Sequence, residues 1–302
     1  MSVLITGGSG LLGSKIKIDN ALKPSRKELN LLDYCELKKF IQFNNINKIV
    51  HCAAMVGGVK TNKDKVHDFF NENLKINMNI IEACKEFNLQ NSIFILSTCI
   101  MPEKAELPYT EQQLHMGEPH PSNYGYAYAK RMLEVGSRSL KEQYNINTNC
   151  LIPCNLYGTN DNYNLETGHV IPSLIHKCYL AKINNKPFEV WGSGNPLREF
   201  MYVNDFARVI EKIHNEHIDA PLMIVSFGQT YSIRQLVEMI AKYMEFNGEI
   251  IYDTSKPDGI FKKPTCPNLF NKHFSKFSWT PLEYGLKETI KHFVESYPNI
   301  RL

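Results

Sequence analysis

The sequence predicts an α/β chain: a doubly wound parallel sheet with helices on both faces, and a smaller, discontinuous α/β unit beside it. Three observations predict this. Short apolar runs alternate with longer amphipathic ones through the first half, a glycine-rich turn follows the first apolar run, and the rhythm changes after Pro153. Strands alternating with helices at this spacing make crossover units, and crossover units build parallel sheets.

Each element has its own justification. Ser2–Thr6, Lys48–Cys52, Ser92–Leu96 and Asn149–Ile152 are short, nearly continuous apolar runs, the pattern of strands covered on both faces. Helical patterns lie between them at Asp33–Phe43, Val66–Phe87 and Tyr124–Tyr144; in the second, Phe69, Phe70, Leu74, Ile76, Ile80 and Ile81 keep close to a 3.6-residue period. Only eleven residues separate Gly13 from Ser25, so the first helix has about two turns at most. Residues 159–168 are polar and loop-like. A short helix from His169 or Val170 to Ala181, a strand Phe188–Trp191, a helix Asp205–His214 capped by Asn204 or Asp205, and a strand Leu222–Phe227 come next. Helix Ile233–Met244, strand Glu249–Tyr252 and a final helix near Pro281–Ser296 complete the chain. This pattern assigns residues 1–158 and 198–228 to a nucleotide-binding domain, and residues 159–197 and 229–302 to a second domain that closes over its strand ends.

Composition narrows the function. The 302 residues are 43% hydrophobic and 22% charged, as in an ordinary globular protein. A net charge of +3 is too small to imply nucleic acid or an anionic membrane, and suits an anionic ligand locally. The N-terminus lacks the basic stretch of a signal peptide, and no run approaches the roughly 18 apolar residues of a membrane span. Eight scattered cysteines without a CxxC pair read as reduced thiols of a cytoplasmic protein, with neither a disulfide frame nor a metal site.

Several motifs carry chemistry. Gly7, Gly10 and Gly13, with Leu11 and Leu12 between them, directly follow a strand; such glycines let backbone N–H groups approach a pyrophosphate at a helix N-terminus. The second strand should end in the residue that reads the adenosine ribose, where an acid selects NAD and a base NADP. The segment Leu22-Lys23-Pro24-Ser25-Arg26-Lys27 has no acid before Glu28, which favours NADP with Ser25 and Arg26 on its 2′-phosphate. Tyr126 and Lys130 stand four residues apart on a helix, on one face, where the ammonium should lower the phenol's pKa; Tyr124 and Tyr128 lack that spacing. Ser97-Thr98-Cys99 follows the fourth strand, where a Ser hydroxyl can hydrogen-bond a substrate carbonyl. Considered singly, Cys99 reads as an inert thiol, His169 as a partly buried histidine, and Arg198 and Lys262-Lys263 as exposed charges.

The motifs also occur as a set. Ala53-Ala54-Met55-Val56-Gly57-Gly58, Ser97-Thr98-Cys99-Ile100-Met101-Pro102, the stretch from Asn123 to Met132, and Asn155-Leu156-Tyr157-Gly158 come first. Gly168-His169-Val170-Ile171-Pro172, the stretch from Val190 to Phe200, and Lys256-Pro257-Asp258-Gly259 with Lys262-Lys263 follow. Over nearly the whole chain, in this order, they resemble the GDP-L-fucose synthase family of extended short-chain dehydrogenases/reductases, whose fold is Rossmann-like.

The resemblance implies NADPH-dependent conversion of GDP-4-keto-6-deoxy-D-mannose to GDP-L-fucose, by epimerisation at C3 and C5 and then reduction at C4. It implies Cys99 as base and His169 as acid, each supporting the other's charged form, and Ser97, Tyr126 and Lys130 for the reduction. It puts Gly7, Gly10, Leu11, Leu12, Gly13, Ser25, Arg26, Ala53, Ala54, Tyr126 and Lys130 on NADP(H). It puts Asn155 and Leu156 in the sugar pocket, Val170 and Trp191 on guanine, Lys177 at a basic position of the same helix, and Arg198 and Lys263 on the diphosphate. A homodimer through the helix that bears Tyr126 is implied as well. The stretch after Gly13 is several residues shorter than is usual in the family, which bears on cofactor preference more than on chemistry. Rival readings are an epimerase–reductase acting on another nucleotide 4-keto-6-deoxy sugar, or a catalytically silent NADP-binding regulator. A 4,6-dehydratase is disfavoured because Thr98 is followed by Cys99 and not by an acid.

Overall fold

The structure is a computed structural model that describes residues 2–256, 258 and 260–302, the side chain of Val59 excepted. Pro257 and Gly259, which belong to one of the motifs quoted above, lie outside the described residues. The elements run β1 (Ser2–Thr6), β2 (Ala21–Leu22), α1 (Tyr34–Phe43), β3 (Ile46–His51), α2 (Val59–Asp64), α3 (Val66–Glu86), β4 (Ser92–Ile95), α4 (Tyr124–Tyr144), β5 (Thr148–Pro153) and β6 (Asn155–Tyr157). They continue with α5 (Val170–Asn184), β7 (Phe188–Trp191), β8 (Leu197–Arg198), β9 (Phe200–Tyr202), α6 (Val203–Glu216), β10 (Leu222–Val225), β11 (Tyr231–Ser232), α7 (Ile233–Tyr243), β12 (Ile250–Asp253), α8 (Asn268–His273) and α9 (Leu282–Ser296).

Six strands form one sheet in the order β10-β5-β4-β3-β1-β2, and every pairing in it is parallel. The chain leaves β1 for β2 on one side and returns to β3 on the other. That reversal makes a switch point between β1 and β3, outside whose carboxyl ends a crevice must open. Apolar side chains cover both faces. On one, α1, α3 and α4 contribute Leu37, Ile41, Ile80 and Leu133 to a cluster with Leu4, Ile49 and Phe94. On the other, α6 and α8 contribute Phe206, Ile210 and Phe270 to a cluster with Ile5, Val50 and Leu151. A third cluster joins α5, α7 and α9 through Ile175, Leu236, Ile240, Leu286 and Phe293, under the short β7–β12 pair.

Two expectations fail, each for a physical reason. No helix follows Gly13. Residues 7–15 are successive turns, with the Gly10 N–H bonded to Gly7 O (2.9 Å), Ser14 to Gly10 O (3.2 Å) and Lys15 to Leu12 O (2.9 Å). Coiled as a helix, residues 14–20 would cover only about 10 Å. The return from above Thr6 to the level of Val3, where Ala21 pairs, is at least that long before any turn is made. Leu12 and Ile16 still sink into the second cluster, so the segment seals the sheet without helical backbone. The second failure is the cap expected at Asn204 or Asp205. The helix begins at Val203, and Asp205, buried in its first turn, pairs with Arg208 (2.6 Å) and accepts the Thr280 N–H and hydroxyl (2.7 Å each). A tertiary partner claims the carboxylate that the sequence offers as a cap.

Candidate active site

β4 ends at Ile95, and the chain turns into a single helical turn, Thr98–Ile100, capped by Ser97, whose Oγ accepts the Cys99 N–H at 3.2 Å. Two consecutive residues of α4 grip both ends of this turn. Lys130 Nζ donates to Ile95 O (2.8 Å); Arg131 Nε donates to Ile100 O (2.7 Å) and Nη1 to Gly117 O (2.7 Å). One turn earlier on α4, the Tyr126 ring meets Phe69 of α3 edge-on, with centroids 6.5 Å apart. The turn bearing Ser97 and Cys99 and the helix bearing Tyr126 are therefore one rigid piece. Arg131 is the clamp that sequence reasoning passed over. Its only signal was its place beside Lys130.

The electrostatics correct one expectation. Burial, then the nearby Cys99 charge, raises the Tyr126 pKa above its ordinary value. Burial brings the Lys130 pKa down to about 8 against the pull of Cys52 and Cys150. The ammonium is directed to the Ile95 carbonyl and does not make Tyr126 a stronger acid.

His169 occupies the position before α5, and its side chain makes no capping bond. The loop leading to it is seated on the glycine pair at the start of α2, where the Gly58 N–H donates to Thr167 O at 3.1 Å. The residue keeps contact with solvent, but the protein packed around it lowers its pKa by desolvation. Lowered from the ordinary imidazole value, the ring is mainly neutral near pH 7. Burial disfavours the charged Arg198 guanidinium, and the nearby Cys99 and Asp258 oppose that effect.

At the switch point a pocket of about 150 Å³ is lined by Thr6, Gly7, Ser9, Pro24, Arg26, Leu29, Asn30, Leu31, Leu32, Ala53, Ala54, Glu72 and Ile76. Gly7 has φ +67°, and a Cβ on Gly13 would lie 2.3 Å from Gly7 O, so both must be glycine for the loop to fold tightly on itself. Arg26, Ala53 and Ala54, which the sequence assigned to the cofactor, line this pocket. Ser25 does not line the pocket; its N–H and carbonyl serve the turn to Glu28 and Leu29. Leu12 points into the core and Leu11 packs beside it, so only their backbone is available to a ligand. Residues 29–32, Glu72 and Ile76 were missed. They lie far apart in sequence, and Asn79, which ties Leu31 O to α3 at 2.8 Å, brings them together.

Beneath the pocket runs a buried polar chain. The Ala53 N–H donates to Thr6 Oγ1 (3.1 Å), and because Asn77 Oδ1 can only accept a hydrogen bond from His51 Nε2, the neutral ring accepts the Thr6 hydroxyl at Nδ1 (2.8 Å). His51 then carries its proton on Nε2, facing Asn77 Oδ1 (3.1 Å), and Asn77 Nδ2 donates to Ala129 O (2.9 Å). Burial, then Lys130, holds the His51 pKa down at about 3, which keeps this one direction of the chain. The pocket floor is thus wired to α4 beside Lys130.

The far end of the site is held by short pairings. Lys177 Nζ sits 4.0 Å over the Trp191 ring, which is half exposed, and Val170 packs partly buried at the start of the same helix. Leu197 bridges Lys262, and buried Glu199 accepts the Thr265 N–H (3.1 Å) and hydroxyl (2.6 Å). Arg198 and Lys263 therefore lie on paired segments. Asn155 donates from its side chain to Glu199 O (2.8 Å), and Leu156 packs on the second core cluster. The eight cysteines are all free.

Three comparisons bear on this geometry. Residues 3–225 match the NAD dependent epimerase/dehydratase family. A GDP-L-fucose synthase of Dictyostelium discoideum is 40% identical, over 99% of this chain and 97% of its own, and a GDP-L-colitose synthase of Yersinia pseudotuberculosis is 33% identical, over 99% and 100%. A crystal structure of a GDP-L-fucose synthetase from Naegleria fowleri bound to NADP superposes with a TM-score of 0.91 at 35% identity, covering 100% of this chain and 95% of that one.

Proposed function

The chain belongs to the NAD dependent epimerase/dehydratase family, among its GDP-L-fucose synthases, and from that premise we propose how its residues divide the work. The chain is an NADPH-dependent enzyme that converts GDP-4-keto-6-deoxy-D-mannose to GDP-L-fucose. The crevice at the switch point fits the cofactor, since its glycine turn leaves bare backbone facing a lined pocket. Gly7, Gly10 and Gly13 would meet the diphosphate, Ala53 and Ala54 the adenosine side, and Arg26 its 2′-phosphate. When bound, the cofactor supplies a hydride.

The 4-keto group makes the protons on C3 and C5 acidic, because their loss leaves an enolate. Cys99 removes each proton as thiolate and His169 returns one to the opposite face, inverting the centre. The neutral His169 found here becomes an acid only on gaining a proton, and the Cys99 thiol is the group that must lose one. Base and acid are therefore made together once the sugar encloses them. Ser97 and Tyr126 donate hydrogen bonds to the C4 oxygen, and after both inversions Tyr126 protonates it. Lys130, held on Ile95 O, turns toward the nicotinamide ribose. Trp191, Val170 and Lys177 take the guanine, Arg198 and Lys263 the diphosphate, and Asn155 and Leu156 the sugar. The observation that carries this reading is the turn bearing Ser97 and Cys99, clamped to the helix bearing Tyr126 by Lys130 and Arg131.

In this reading residues 1–158 and 198–228 hold the cofactor, and residues 159–197 and 229–302 hold the nucleotide sugar. The apolar cluster of α5, α7 and α9, which Tyr157, Phe200 and Tyr202 join from the first domain, forms the core of the second. The enzyme works in the cytoplasm as a homodimer; no described helix is long and apolar enough to cross a membrane. The colitose-forming relative favours one second reading, a different GDP-linked 4-keto sugar turned over by the same groups. Incubation with GDP-4-keto-6-deoxy-D-mannose and NADPH, followed by NMR of the product, separates the two. GDP-L-fucose is expected; a reduced product still in the D-manno configuration removes Cys99 and His169 from their roles, and no turnover moves the substrate elsewhere.

A further inference from the structure

The adenosine end of the pocket holds two residues of opposite preference. Arg26 Nη1 and Glu72 Oε1 form an ion pair at 3.4 Å, and both side chains line the same cavity. Arg26 comes from the segment after β2, the place from which dinucleotide folds read the ribose, and it stands largely exposed at the rim. Glu72 comes from α3, one turn before Ile76, which also lines the pocket, and is about one quarter exposed. In such folds a guanidinium selects the 2′-phosphate, and a carboxylate selects the unphosphorylated ribose by accepting its 2′-hydroxyl. Here the acid is supplied by a helix and not by the second strand, so it is invisible to a search for an acid before Glu28.

We infer that Glu72 is the residue that limits this chain's preference for NADPH over NADH. Without a nucleotide, its carboxylate neutralises Arg26. With the phosphorylated nucleotide, it shares the guanidinium with a phosphate of about two negative charges, and like charges a few ångströms apart repel. With the unphosphorylated nucleotide, there is no such repulsion, and the carboxylate is an acceptor for the free hydroxyl. The shortened stretch between Gly13 and β2 adds to its weight. Among the described residues lining the pocket, Arg26 is the sole cation. Whatever weakens it is felt in full.

The assignment rests on reading this pocket as the adenosine site, and the test separates the two. Dissociation constants for NADP+ and NAD+ are measured by calorimetry on the intact chain, on Glu72→Gln and on Arg26→Ala. Glu72→Gln should tighten NADP+ about three- to five-fold and weaken NAD+ slightly, so that the ratio of the two rises. Arg26→Ala should weaken NADP+ by more than about ten-fold and barely move NAD+. A ratio that changes in Arg26→Ala but stays within two-fold in Glu72→Gln overturns the role of Glu72 and leaves the site standing. A ratio unmoved in both variants overturns the site and the inference with it. Glu72→Gln preserves shape and hydrogen bonding, and its melting temperature, taken alongside, shows that the fold is intact.

Discussion

Cys99 is the residue on which the proposed reaction divides. Its N–H is tied to Ser97, its turn is tied to α4, and it stands near both Tyr126 and Arg198. A thiolate here would face a cation on one side and a buried phenol on the other. Cys99→Ser replaces a thiol with a hydroxyl that cannot ionise near neutrality, so exchange of deuterium from heavy water into the sugar should fall by more than about 100-fold while NADP+ still binds. Exchange at the parent rate would mean that another group removes the proton. The sequence proposes Ser97, Cys99, Tyr126, Lys130 and His169 because their motifs, taken together and in order, resemble one family. It could not show their charge states. The Tyr126 pKa was expected to fall, because two residues four apart on a helix share a face. It rises because tertiary packing buries the ring and turns the ammonium toward a strand carbonyl.

At the scale of elements, α3 and α4 determine where the phenol stands. Gly125 lies beside Tyr126 where the helices meet, and a Cβ there would come 2.6 Å from the Val66 carbonyl and 3.1 Å from its side chain. An alanine gains about 1 kcal/mol of helix propensity but must push two backbones apart, at a cost of about 1–3 kcal/mol. Gly125→Ala should therefore lower the melting temperature and reduce the rate of 4-keto reduction about ten-fold, with NADP+ affinity less affected. A more stable, fully active variant would show that α4 is not pressed against α3 at this point. Periodicity located both helices almost to the residue, because each hides a full apolar stripe. The same reasoning failed after Gly13, where the distance back to β2 and not the local sequence decides the backbone.

At the scale of the whole molecule, the exposed apolar residues are not scattered evenly. Phe70 and Met78 on α3, and Tyr124 and Met132 on α4, are all more than a third exposed, on the two helices that flank the active site. Solvated apolar side chains gathered on one helix pair mark a surface meant to be covered. In the proposed dimer a second copy of the pair covers it. Sedimentation equilibrium should give a dimer for the parent chain and a monomer for the double variant Met78→Glu, Met132→Glu. A parent chain that sediments as a monomer at tens of micromolar, or a double variant that still dimerises, would place the contact elsewhere.

The sequence by itself determined the alternation of strands and helices, the glycine turn at the end of β1 and the order of the chemical motifs. These depend on local spacing, and local spacing is written in the chain. Tertiary structure alone decided the rest: the turns where a helix was expected, the claim of Thr280 on Asp205, the neutral state of His169, the grip of Arg131 on the catalytic turn, and the meeting of Arg26 with Glu72. Each of these joins groups distant in sequence, or depends on how much water the fold removes from a charge. Neither is a property of any short stretch of residues.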